Sequence, residues 1–165
     1  MHEPRCANVF PARVRALWIG GCALLAVGAL QYVLVRPASE LAVWPDGIDA
    51  PGPFLRLPGT LNQALPSFIH TLAFALLTAA AIGRPSALVP AAIAWGCVNL
   101  AFEIGQHPHV AAVLADVIGS GPQPQSLLIR YFVEGTFDVL DLAATALAAL
   151  IVVSAAMLQQ GRART

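Results

Sequence analysis

The sequence predicts an all-α membrane protein: a bundle of four transmembrane helices with two outer loops that carry short interfacial segments. Three observations point there. Of the 165 residues, 58% are hydrophobic and only 11% charged, well outside the range of an ordinary soluble domain. Four apolar runs, at about residues 16–35, 66–82, 87–104 and 137–158, are long enough to cross a hydrocarbon core, which takes about 20 helical residues. The basic residues, all arginine, are distributed unevenly between the two sides that such a threading creates. The remainder is too short for a second folded unit, so residues 1–165 are expected to form one membrane domain.

The first span is rich in small residues: Gly20, Gly21, Ala23, Ala26, Gly28 and Ala29. In lipid, small residues let helices approach closely, so this stripe predicts a packing face inside the bundle, with a homo-oligomer face as the alternative. Gln31 and Tyr32 follow at its outer end, where an aromatic belt is expected. Residues 36–65 form the first outer loop, because Pro37, Pro45, Pro51, Pro53 and Pro58 preclude a continuous helix. Trp44, Phe54 and Leu57 would rest on the lipid interface, with a lid over a ligand site as the sharper reading of so long a loop.

Pro66 is expected to open the second span, since its fixed φ suits a first helical turn. Gly83-Arg84-Pro85-Ser86 predicts a tight turn, with Ser86 as N-cap of the third span. Spans two and three are therefore adjacent and antiparallel. Residues 105–136 make the second outer segment. Within it, 110–118 and 127–133 are apolar but too short to span, which predicts interfacial or re-entrant pieces separated by Gly119, Gly121, Pro122 and Pro124.

Charge sets the orientation. Arg5, Arg13, Arg15, Arg84, Arg162 and Arg164 share one side and Arg36, Arg56 and Arg130 the other, so both termini are expected to be cytoplasmic. No basic run suggests nucleic acid. Cys6, Cys22 and Cys97 are placed where an extracytoplasmic disulfide is not expected. Ile19-Gly20-Gly21-Cys22 lacks the preceding apolar stretch of a lipidation signal, and Arg36-Pro37 replaces the small residues of a cleavage site.

The candidate site follows from polar residues in segments otherwise built for lipid, where an ionisable group costs a few kcal/mol or more. At a rise of about 1.5 Å per residue, Glu103 lies about 24 Å above the inner end of span three. His70 falls about 6 Å below the outer boundary, and Asp138 and Asp141 within about 8 Å of it. Helices running in opposite directions thus deliver their polar groups to one layer. Asn99, Glu103 and Gln106 share a stripe of span three, as Asp138, Asp141 and Thr145 do on span four. These six residues with a polar or acidic head group in reach, namely His70, Asn99, Glu103, Gln106, Asp138 and Asp141, are the expected ligand-binding set. Asp138, in a first turn, also fits a capping role. Glu103 stands near a C-terminus that the dipole disfavours for a carboxylate, so a partner or ligand must offset its cost, with His70 the natural neighbour. His107-Pro108-His109 lacks the spacing of a zinc site; neither a metal nor any other cofactor is expected.

Pro66-Ser67-Phe68-Ile69-His70, Glu103-Ile104-Gly105-Gln106 and Gly135-Thr136-Phe137-Asp138-Val139-Leu140-Asp141, in this order over four spans, resemble the VanZ-like family of small bacterial membrane proteins. They match its intramembrane His, its Glu-x-x-Gln at a helix end and the Asp that opens its last helix. Where the family continues with Asn and Gly, this chain has Thr145 and Ala148, and its stretch between Gln106 and Asp138 is longer. The resemblance implies a multi-pass protein of the bacterial cytoplasmic membrane, in a family associated with low-level teicoplanin resistance.

The leading functional expectation is an envelope protein that binds a polar lipid headgroup, lipid-linked glycan or amphipathic antibiotic in an outer-leaflet polar pocket. An intramembrane acid–base enzyme is the alternative, with Glu103 or Asp141 as base and His70 as partner. A proton-coupled transporter ranks third, because only Cys22, Cys97, Thr78 and Ser154 interrupt the apolar inner halves.

Overall fold

The computed structural model describes residues 11–35, 58–119 and 127–162. Every regular element among them is helical: α1 (Ala12–Val35), α2 (Gly59–Ile82), a 3-10 turn (Pro85–Ala87), α3 (Leu88–Gly105), α4 (Pro108–Gly119), α5 (Leu127–Glu134) and α6 (Val139–Arg162). Four of these stretches are long and apolar enough to cross a membrane: Ala12–Val35, Gly59–Ile82, Pro85–Gly105 and Val139–Leu158. A bilayer is the medium such surfaces suit, since Ile19, Ile93, Leu150 and Met157 all point away from the protein.

The second helix starts earlier than the sequence suggests. Residues 59–65 were expected to close the first outer loop, yet α2 begins at Gly59 and Pro66 lies inside it. Thr60 to Leu65 contain no breaker, and the donor lost at Pro66 frees only the Asn62 carbonyl, a cost that spanning helices tolerate. The last helix begins at Val139 and continues to Arg162, past its apolar span, which ends at Leu158 as expected. The rest of the first outer loop, with Trp44, Phe54 and Leu57, lies outside the described residues, as do Gly121, Pro122 and Pro124.

The turn between α2 and α3 forms where expected, but by a different cap. Gly83 takes the left-handed conformation at φ 73°, its N–H reaching the Ala79 and Ala80 carbonyls. Ser86, however, is taken into the 3-10 turn; Ala87 is the N-cap of α3, and no side chain caps it. A Pro at position 85 starts its own helical turn, which displaces the capping position by one residue.

α2 is the central helix, packed against α1, α3 and α6, while α3 also packs on α6. The contacts are made by small side chains. Ala73, Ala75, Ala79, Ala92 and Ala148 are fully buried or nearly so, and an apolar cluster joins Ala75, Ala91, Ala92 and Val152. The α1–α2 seam is tighter still: a Cβ on Gly21 would stand 2.6 Å from the Leu77 side chain, and one on Gly28 3.1 Å from Ile69. The small-residue stripe of α1 therefore serves packing inside this chain, where dispersion at close approach holds helices together. α4 and α5 pack on each other beyond the end of α3.

Candidate functional site

Three helices meet at one polar layer near the end of α3 and the start of α6. The stripe Asn99, Glu103, Gln106 distributes its side chains over three different neighbours. Asn99 donates to the Thr71 hydroxyl of α2 at 2.8 Å. Glu103 accepts the backbone N–H of Asp138, at the N-terminus of α6, at 2.5 Å. Gln106 lies against α5 and the turn before α6: its amide hydrogen-bonds Tyr131, and a Cβ on Gly135 would come within 2.6 Å of it.

The α6 side is equally engaged. Asp138 accepts the N–H of Leu140 at 2.8 Å, an N-cap of its own helix. Asp141, one turn further, accepts the Ser67 hydroxyl of α2 at 2.7 Å. Thr145 completes the stripe and is buried. On α2, Thr71 passes its own hydroxyl proton back to the Ser67 carbonyl at 2.8 Å, which leaves its oxygen free to receive Asn99. Below this layer Trp95 donates to Thr78 at 2.9 Å, tying α3 to α2 a second time.

Capping of its own helix does not account for Glu103, but capping of another does. The carboxylate closes the free N-terminus of α6, whose dipole attracts the charge that the α3 C-terminus repels. The three carboxylates Glu103, Asp138 and Asp141 are within electrostatic reach of one another, and none is ion-paired among the described residues. Among the described residues their hydrogen bonds come from N–H and hydroxyl groups. Tyr131 closes the layer from α5; burial, reinforced by the Glu103 carboxylate, pushes its hydroxyl above the ordinary tyrosine pKa, with the Gln106 bond acting in opposition.

His70 is not in this layer. It borders the cleft between α1 and α2, exposed and stacked on Phe74 at 5.9 Å, with Phe74 in turn against Trp95 of α3 at 4.8 Å. Ser67 and Thr71 occupy the α3–α6 side of α2 instead, so the helix-two partners of the acidic stripe are hydroxyls and not the imidazole. His107 and His109 lie 5.5 Å apart as tilted rings, with Phe137 edge-on to His107. Among the described residues no group of three or more His, Cys, Asp or Glu is arranged to hold a metal ion.

Ser67, Thr71 and Tyr131 were not singled out in the sequence. Ser67 and Thr71 carry the same four-residue spacing that identifies the stripes on α3 and α6, so that signal was present. Tyr131 carried none, because its approach depends on how α5 folds back.

Beside the polar layer, α2 and α6 enclose an apolar cleft of about 380 Å³ lined by Leu61, Leu65, Phe68, Leu140, Ala144 and Leu147 among others. Phe68 and Leu140 are the chain neighbours of Ser67 and Asp141. No family model matches the chain, and neither does a curated protein or a solved structure.

Proposed function

We propose that this chain is a VanZ-like integral membrane protein of the bacterial envelope that binds an amphipathic ligand: a polar lipid, a lipid-linked glycan or an amphipathic antibiotic. One observation carries the reading. Ser67 and Asp141 of the polar layer are the chain neighbours of Phe68 and Leu140, which line an apolar cleft of about 380 Å³, so that a polar head and an apolar tail would find adjoining places. The volume is that of an ordinary small-molecule site. The arginine distribution supports an outer-leaflet position for the layer, with both termini cytoplasmic.

The acid–base alternative is weakened, since Glu103 and Asp141 take their hydrogen bonds from the Asp138 N–H and the Ser67 hydroxyl, while the His70 ring stacks on Phe74. It would rest on Glu103 and Asp141 alone.

The test is native mass spectrometry of the full chain released from a mild detergent. A lipid, glycan or antibiotic retained by the wild type and lost from both Glu103→Gln and Asp141→Asn is the expected result. Equal retention by all three proteins would refute the reading.

A further inference from the structure

The end of the bundle remote from the acidic layer carries the opposite charge. Leu88, where α3 begins, stands about 22 Å along the helix from Glu103 at a rise of about 1.5 Å per residue. There the first turn of α1 meets the turn between α2 and α3. Gly21 faces Leu77 and Gly28 faces Ile69, so α1 and α2 run antiparallel and nearly residue for residue. Continued back from Gly21 to Val14, the same register sets Val14 beside Arg84 and Pro85. α1 does touch the 3-10 turn that Pro85 opens. Val14 is fully buried, which turns its neighbours Arg13 and Arg15 out on either side, and Arg84 is exposed as well. Three arginines thus share one corner.

The sequence brings no acid with them. Glu3 is the one acid before Glu40, and residues 61–102 and 142–165 contain neither Asp nor Glu. Neither α1 nor α3 has an acidic residue in its first turn, and no side chain caps α3, so two helix dipoles add their positive ends here. One turn along α1 from Arg15, Trp18 and Ile19 present apolar surface at 39% and 64% exposure. The complement of this corner is an anionic head joined to an apolar tail. A guanidinium offers paired donors that match two oxygens of one phosphate, and it sheds its water more readily than an ammonium. A zwitterionic head carries its own cation toward the three arginines and fits less well. We infer that this corner binds the phosphodiester headgroup of an anionic phospholipid, held by Arg13, Arg15 and Arg84 with its acyl chains against Trp18 and Ile19. The site stands apart from the acidic layer and does not rest on that layer's role.

The probe is phosphatidylglycerol, offered to the full chain in mixed nanodiscs with phosphatidylcholine as competitor, and retained lipid is read by native mass spectrometry. The wild type is expected to retain phosphatidylglycerol in preference. That preference should fall about fivefold for each arginine removed, in Arg84→Gln and in the double variant Arg13→Gln/Arg15→Gln. Arg130→Gln, the same change of charge on α5, and Asp141→Asn are expected to leave it unchanged. Arg84→Lys keeps the charge without the paired donors and should fall short of the wild type; full rescue by lysine would reduce the corner to a diffuse field and overturn the site. No preference in the wild type overturns the inference, as does a loss equally large in Arg130→Gln. So does a preference abolished by Asp141→Asn and kept by the arginine variants, an outcome that would move the lipid to the acidic layer and support the function proposed above. Should an arginine variant fail to fold or insert, modification of the wild type by phenylglyoxal decides. Phosphatidylglycerol is expected to slow the reaction of Arg84 relative to phosphatidylcholine alone, and equal rates overturn the site.

Discussion

The two flanks of α2 solve the same problem in opposite ways. Toward α3 and α6, polar side chains in the apolar interior find partners: Ser67 with Asp141, Thr71 with Asn99, Trp95 with Thr78, and Glu103 with the backbone at the start of α6. Toward α1, glycines bring the backbones together, and the buried amide oxygen of Gln31 has no hydrogen-bond partner among the described residues. One flank is held by hydrogen bonds and the other by contact. The contrast teaches that the cost of a polar atom in hydrocarbon depends on its neighbours rather than its depth, because the penalty is for the missing partner.

If that contrast is right, steric insertions should hurt most where contact alone holds the helices. Gly21→Val would push a branched side chain into Leu77, with the Ala73 carbonyl only 3.2 Å from where its Cβ would stand, and is expected to cost about 1–3 kcal/mol or to detach α1. Thermal unfolding in detergent measures it, with Gly20→Val, whose Cβ meets its nearest atom at 3.6 Å, as the mild control. Gly135→Ala sharpens the same point at the polar layer. Its Cβ would sit 2.6 Å from the Tyr131 carbonyl, a backbone atom that cannot move aside, so a loss of similar size is expected.

On the bonded flank the asymmetry of hydrogen-bond removal is the sharper probe. Thr71→Val keeps the shape of a fully buried side chain but strands the Asn99 amide, and should destabilise by about 1–3 kcal/mol. The double variant Thr71→Val/Asn99→Leu removes both partners and should recover most of that loss. A double variant as unstable as the sum of the singles would show that the bond is not what joins α2 to α3. Next in size is Glu103→Ala, which removes the acceptor of the Asp138 N–H and is expected to cost about 1 kcal/mol, with Glu103→Gln retaining an acceptor and losing less.

The smallest effect concerns pH. The Tyr131 hydroxyl titrates above the ordinary value of 10.0, with burial the main cause. A raised pKa of this kind favours the folded state fully below the unfolded tyrosine value, and that contribution is lost as pH rises through the folded one. Phenolate absorbance should therefore show one of the two tyrosines ionising late, and Tyr131→Phe should remove that component. A single ordinary titration in the wild type would place Tyr131 in open solvent.

Much of the fold was legible because the period and length of apolar runs carry it. The α3 and α6 stripes, and the left-handed glycine at 83, follow directly from spacing and backbone sterics. The start of α2 was not, because Pro66 reads as a boundary in the sequence while a spanning helix absorbs it. The acidic layer could be located from depth alone, yet its pairing could not. Depth says nothing of rotation about the helix axis, and rotation is what turns Ser67 and Thr71 inward and His70 toward α1. Glu103 shows the same limit: its own helix end makes it costly, and only the tertiary contact with α6 explains why it is kept there.

A polar head and an apolar tail are proposed to bind side by side where α2, α3 and α6 meet. The most direct measurement is photo-crosslinking of the full chain in bilayers with a lipid bearing a diazirine on its acyl chain, followed by peptide mapping. Crosslinks are predicted to concentrate on Phe68, Leu140 and Leu147 in the wild type and to disperse in Glu103→Ala. Crosslinks spread evenly over outward residues such as Ile93, Leu150 and Ile151, and unchanged by that substitution, would contradict it.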